Sequence, residues 1–181
     1  MKKRINVQPL LLITLLFVIL FSCTEKGGTF SKKENTGTLA IEGLTETEIS
    51  QNLKRLKGVE KLIISRQAET GWQVYPPRDF DDPIFDQVPK KELSAMIGEL
   101  KQLTYLSLFD LELTDLPENI TNLTELDTLI LGNNYLDISI ELRKLNQLEK
   151  LKYLDLTNNK VDTLIVKEWI EKRPNLRVVL K

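Results

Sequence analysis

The 181-residue chain contains no histidine. That removes imidazole acid–base relays and the commonest protein metal ligand. It has a single cysteine, Cys23, so no intramolecular disulfide can form and stability has to come from packing. Glycine and proline number only eight and seven, too few for collagen-like or low-complexity chain. Aromatic residues make up 7% against 41% hydrophobic, so the apolar weight falls on aliphatic side chains, leucine above all. Charge of neither sign dominates, with 25 basic and 26 acidic residues, and a chain so balanced has no basic footprint for nucleic acid. No apolar run reaches the ~20 residues of a membrane-spanning helix. The longest, residues 10–21, is about a dozen.

What the chain does have is a repeat. Leu148-x2-Leu151-x2-Leu154-x-Leu156-x2-Asn159-x-Val161 is preceded 25 residues earlier by Leu123-x2-Leu126-x2-Leu129-x-Leu131-x2-Asn134-x-Leu136. A third copy, Leu100-x2-Leu103-x2-Leu106-x-Leu108-x2-Leu111-x-Leu113, lies 23 residues before that. The Leu-x-Leu centre reads as a short strand, because alternation sends Leu106 and Leu108 inward and Tyr105, Ser107 and Phe109 outward. One unit is too small to bury its own leucines, so neighbours must stack and share a continuous core. Each fully buried leucine contributes about 1.5–3 kcal/mol. Asn134 and Asn159 stand where the chain turns, with side chains suited to unpaired backbone groups. Leu111 and Gln67 hold that position in the other copies, which predicts less regular first turns.

The pattern resembles that of leucine-rich repeat proteins, over about residues 53–181 and most strongly over 100–164; the period lies in the roughly 20–29-residue range of such repeats. The resemblance implies an α/β fold: a short solenoid of about five strands, with a curved parallel sheet, helices or turns on its convex side, and an N-terminal helical cap. The link Leu116-Pro117-x2-Ile120-x2-Leu123 resembles the bacterial and plant-type repeat, in which it forms a short convex turn or helix.

At the N-terminus, Lys2, Lys3 and Arg4 precede the apolar run, which ends at Leu20-Phe21-Ser22-Cys23. This is similar to the lipobox of bacterial lipoproteins, although Phe21 is bulkier than the usual residue there. The resemblance implies that residues 1–22 are a signal peptide, that Cys23 is acylated (carrying palmitate or related chains) and becomes the first residue, and that the protein sits in the bacterial cell envelope. The outer membrane or cell surface is expected, with a periplasmic location as the alternative. An ordinary cleaved signal peptide or an uncleaved anchor are the competing readings. Without residues 1–22 the chain has 22 basic and 26 acidic residues, a net charge of −4. Residues 23–38, polar and rich in Gly, Ser, Thr and Lys, read as a flexible tether, with a short strand near Phe30 as the alternative, leaving 39–181 as the repeat domain, which opens on a short strand suggested by Leu39 and Ile41.

Within that domain, residues 39–58 read as the cap. Thr45 and Glu48 have the spacing of a capping box, and Ile49, Leu53 and Leu56 recur at helical spacing, which predicts a helix over 45–57 ending at Gly58. Leu56-x2-Val59-x2-Leu62-x-Ile64 is a divergent first copy, followed by an insertion over 66–82. Trp72 and Tyr75 in it are expected to lid the solenoid end; the alternative is a functional loop. Asp79, Asp81, Asp82 and Asp86 are oxygen donors of the kind Ca²⁺ takes, but the Gly and closing Glu of a twelve-residue calcium loop are missing, so no metal and no cofactor is assigned. The regular repeats cover 100–181. Further helices are expected over 90–100 behind Pro89, over 137–147 with Ile140, Leu142 and Leu145 inward, and over 166–173 with Trp169 and Ile170 in the core. A last strand is expected at Leu176-x2-Val179, either as a blunt edge or as a docking edge for self-association.

Leucine-rich repeats usually bind through the concave sheet. The outward strand positions here are unusually apolar: Ile63, Tyr105, Ser107, Phe109, Ile130, Tyr153 and Asp155 form the candidate protein-binding face. Three classes compete. A non-catalytic protein-binding module uses that face. A structural or surface-coat lipoprotein has no need of it. An enzyme would have to work without histidine and without a free thiol, and no residues are placed in a catalytic role. The first class is the expectation, with an unidentified protein partner, the membrane reached through the lipid anchor, and no nucleic acid.

Overall fold

Each Leu-x-Leu unit forms a strand of three residues, and the units stack in register. In the computed structural model, which describes residues 28–31, 35–66, 78–82 and 87–180, seven strands form one sheet in chain order. They are β1 (Gly28–Ser31), β2 (Thr36–Ala40), β3 (Lys61–Ser65), β4 (Tyr105–Ser107), β5 (Thr128–Ile130), β6 (Tyr153–Asp155) and β7 (Arg177–Val179). β1 is antiparallel to β2, and every later pairing is parallel. One inward file runs Gly37, Leu62, Leu106, Leu129, Leu154, Val178 across the strands. Its four leucines are fully buried, as are Leu108, Leu131 and Leu156 in the next inward position. Behind the sheet lie α1 (Glu46–Arg55), 3-10 turns at Ala95–Glu99 and Glu118–Asn122, α2 (Ile138–Leu145) and α3 (Thr163–Glu171). They close the core with Leu53, Ile97, Ile120, Ile138, Leu145 and Val166. The expected α/β solenoid is therefore present. The helix of the cap also starts as expected: the Thr45 hydroxyl accepts from the Glu48 N–H, and the Glu48 carboxylate accepts from the Thr45 N–H.

Several expectations are corrected. Residues 23–38 are not a tether throughout, because β1 starts at Gly28 and β2 pairs with β3 from Thr36↔Lys61 to Ala40↔Ser65. The edge of β3 would otherwise expose unpaired peptide groups, and a threonine-rich stretch suits a strand. Gly37 fits this core file because the Leu56 side chain occupies its neighbourhood; a Cβ there would lie 2.9 Å from Leu56 Cδ2. Among the described residues the sheet thus holds the five expected repeat strands, β3 to β7, and two more, β1 and β2, at its N-terminal edge. No α-helix spans 90–100. Residues Glu92 and Asp115 form a parallel bridge, flanked by Lys91 N–H donating to Thr114 Oγ1 at 2.8 Å, so the chain there stays extended. Only Ala95–Glu99 coils, as a tight 3-10 turn. A Cβ on Gly98 would lie 2.4 Å from the Asn119 carbonyl, so the two turns pack with their backbones almost touching.

The inward face of α2 also differs. Asp137 caps the helix by accepting from Ser139 N–H at 3.1 Å, which sets its phase. Ile138, Glu141, Lys144 and Leu145 turn inward, while Ile140 is 66% exposed and Leu142 half-buried. Helix α3 begins three residues earlier than expected, because Asp162 accepts from the N–H groups of Leu164 and Ile165. Residues 1–27, Gln67, Trp72, Tyr75 and Asp86 lie outside the described residues, and with them the expected signal peptide, acylated Cys23 and lid.

Two polar devices complete the core. Asn134 Oδ1 accepts from the N–H groups of Leu111 and Leu113, both at 3.0 Å, and its Nδ2 donates to the carbonyls of Leu108 (2.8 Å) and Leu131 (2.7 Å). Asn159 repeats this one unit on, serving Leu136, Leu131 and Leu156. The second device is an ion pair inside α2. Lys144 Nζ lies 3.0 Å from Glu141 Oε2, with side chains 8% and 1% exposed. Lys144 donates to the Leu116 carbonyl and Glu141 accepts from the Leu116 N–H. The pair thus supplies both backbone partners of the residue before Pro117. Burial pushes the Glu141 carboxyl above the usual carboxylate range, with Lys144 and the Leu116 N–H pulling the other way.

Asn134→Ala is expected to lose at least about 3 kcal/mol in urea unfolding, since each orphaned buried group costs about 1–3 kcal/mol. Exposed Asn119→Ala should stay within about 0.5 kcal/mol of the parent. Lys144→Met should cost about 3–5 kcal/mol by stranding Glu141, and the double replacement Glu141→Leu/Lys144→Met should still cost at least about 2 kcal/mol, because the Leu116 N–H and carbonyl both lose their partners at about 1–3 kcal/mol each. The raised Glu141 pKa implies a contribution fully present below the unfolded value, ~4.3, and lost as pH rises through the folded value. Stability relative to Glu141→Gln should therefore fall between about pH 4 and neutrality.

Candidate binding face

The outward positions form three rows across the sheet. The first is Lys61, Tyr105, Thr128, Tyr153, Arg177; the second is Ile63, Ser107, Ile130, Asp155, Val179. The third, just past the strands, holds Phe109 over Gly132 beside Thr157; a Cβ on Gly132 would lie 3.0 Å from the Phe109 ring and 2.7 Å from Thr157 Oγ1. Strand β5 therefore presents only Thr128, Ile130 and Gly132, while its neighbours carry Tyr105, Phe109 and Tyr153. The result is a shallow trough along β5 with aromatic walls. Partial burial, then the neighbouring Tyr153, raise the Tyr105 phenol above its ordinary pKa. The Arg177 guanidinium lies 5.6 Å from the Tyr153 ring centroid.

The structure places the sequence-selected residues on one face but not equally in reach. Ile63, Tyr105, Phe109, Ile130, Tyr153 and Asp155 are half-buried. Ser107 is only 8% exposed, hemmed in by Ile63 and Ile130 on the adjacent strands, and offers little to a partner. Asp155 spends one carboxylate oxygen on the Thr157 N–H at 2.8 Å.

A second polar file runs beside this face at the strand ends. Asp110, Asn133 and Asn158 each have a positive φ of 54–61°, a conformation that Asn and Asp tolerate best among residues with a Cβ. Asn158 Nδ2 donates to Asn133 Oδ1, and Asn133 Nδ2 donates to Asp110 Oδ1. Arg66 closes one end on Asp110 at 2.9 Å and also pairs with Glu112. Arg78 closes the other: its N–H donates to Asn158 Oδ1 at 2.8 Å, its guanidinium to the Asn134 carbonyl at 2.6 Å, and the guanidinium lies 4.2 Å from the Tyr135 ring centroid. Residues 78–82, the return strap of the insertion, are thus fastened through Arg78 at the ends of β5 and β6. Between this strap and the starts of α2 and α3 lies an open groove of about 980 Å³, lined by Phe80, Asp81, Ile140, Lys160, Val161 and Lys167 among others. Among the described residues no group of three or more acidic or cysteine side chains could hold a metal.

Sequence reasoning missed Arg66, Arg78, Asn133 and Asn158. The signal was there: Asp110, Asn133 and Asn158 recur one residue before the turn position occupied by Leu111, Asn134 and Asn159. Nothing local marked Arg78 as their partner, because that contact spans 80 residues.

No family model matches the chain, and no curated protein matches it. Solved structures do. A leucine-rich repeat protein of Leptospira interrogans superposes with a TM-score of 0.51 at 22% identity, over 77% of this chain and 28% of that one. An internalin (InlF) of Listeria monocytogenes gives 0.47 at 19%, over 78% and 40% respectively. Internalin C2 of the same organism gives 0.40 at 20%, over 80% and 70%. The fold is thus that of the leucine-rich repeat solenoid, and the chain spans little more than a quarter of the Leptospira protein.

Arg78→Ala should leave global stability within about 1 kcal/mol, the scale of a partly exposed cation–π contact. Amide hydrogen exchange of residues 80–82 should nevertheless accelerate, as the strap loses its fastening.

Proposed function

We propose that this chain is a lipid-anchored, non-catalytic protein-binding module of the bacterial cell envelope, held at a membrane through acylated Cys23 and displayed outside the cytoplasm. The observation that carries the reading is the trough on the outer face of the sheet, where Tyr105, Phe109 and Tyr153 flank Ile130. These rings are half-buried against their neighbours, so little side-chain freedom is lost when a partner covers them. The phenol groups of Tyr105 and Tyr153 supply polar contacts at the rim of an apolar floor. Lys61 and Arg177 stand at the two ends of the first row and add orientation rather than bulk affinity. The lone cysteine follows the apolar run where lipid attachment needs it, which supports the anchor. Several acyl chains hold far more firmly than one.

The test is a photo-crosslinking side chain at position 130 in the living cell, read by gel shift and mass spectrometry. A discrete protein adduct that weakens at least tenfold in Tyr105→Ala/Tyr153→Ala, about 1.4 kcal/mol or more of lost affinity, is the expected outcome. A correctly fractionated protein that yields no adduct from this position would instead favour a structural coat role.

A further inference from the structure

We infer that Phe30 rests in the lipid interface and that the solenoid stands on the membrane with its N-terminal edge down. The inference builds on the acylation of Cys23 proposed above. The first described strand, β1, starts at Gly28, so only residues 24–27 separate the anchor from it. Five residue steps span at most about 18 Å, which holds the edge strand close to the headgroups. Phe30 lies opposite Gly37, on the face of the sheet that carries the core, and is 53% exposed. The other large apolar residues that are exposed among those described, Ile140, Leu164 and Ile165, sit on α2 and α3 toward the opposite end. An apolar ring exposed beside a lipid anchor suits shallow burial at the boundary between headgroups and acyl chains, where interfacial segments place Phe and Leu side chains. Depth is limited by the backbone. β1 is the edge strand of the sheet, and its outer peptide groups need water. The ring therefore enters and the strand stays at headgroup level. Because the sheet order runs from β1 to β7, the trough then opens sideways, parallel to the membrane plane.

The test uses full-length protein purified from membranes and reconstituted in nanodiscs containing lipid with a shallow nitroxide. With Cys23 acylated, the thiol in Phe30→Cys or Leu164→Cys is the only one available for a bimane label. Expected is loss of bimane emission at position 30 and none at 164. Acylated protein quenched at neither position would hold the domain clear of the bilayer, and quenching at both would lay it flat; each overturns the inference while leaving the anchor intact. A blue-shifted but unquenched label at 30 would put the ring against protein and also overturn it. Intact mass without acyl chains on Cys23 would defeat the anchor reading, and this inference with it.

Discussion

Tight turns buried inside a stack leave peptide groups that neither strand nor helix can pair, and the side-chain amides of Asn134 and Asn159 supply the missing partners. Each Asn reaches across to the turn of the preceding unit as well as its own: Asn134 serves Leu111 and Leu113 on one side and Leu131 on the other. The amides therefore do two things at once. They satisfy buried backbone, and they lock neighbouring units into a single register. The leucine files can only stack because this register holds. A shift by one residue would turn every inward leucine of a strand outward.

The same problem is solved differently at Leu116. No Asn is available there, and Pro117 has no N–H to offer. The link instead borrows a carboxylate and an ammonium from α2, and Glu141 and Lys144 turn inward where a purely apolar helix would place Ile140. A buried ion pair is a poor source of net stability. Its place here is explained by the two backbone groups it completes. The exposed Ile140 then becomes part of the wall of the groove beneath the strap.

Outside the core, a second file of side chains, Asp110, Asn133 and Asn158, runs along the strand ends and is closed by an arginine at each end. It connects the insertion to the regular repeats over three units of the solenoid. The trough on the outer face lies beside this file, so the strap frames one margin of the proposed binding surface. The acyl anchor and Phe30 would set the opposite geometry, the direction in which that surface points. Recognition and orientation then belong to different ends of one short solenoid.

The periodic leucines were enough by themselves to determine the solenoid, the inward files and the outward placement of Tyr105, Ile130 and Tyr153, because a two-residue strand period and a repeat of 23 to 25 leave one way to bury the leucines. The capping box at Thr45 and Glu48 was equally local and equally legible. Tertiary structure decided the rest. Residues 36–38 look like linker, and join a strand because β3 offers them an open edge. Residues 90–100 have helical spacing, and stay largely extended because Thr114 and Asp115 pair with them and Asn119 leaves no room at Gly98. Ser107 reads as outward and is nearly buried because β-branched neighbours on both sides close over it. Arg78 reads as an ordinary loop residue, and its partners lie 56 and 80 positions away. Periodicity records what one chain segment must bury; only the folded neighbours record which polar groups a second segment has left unpaired.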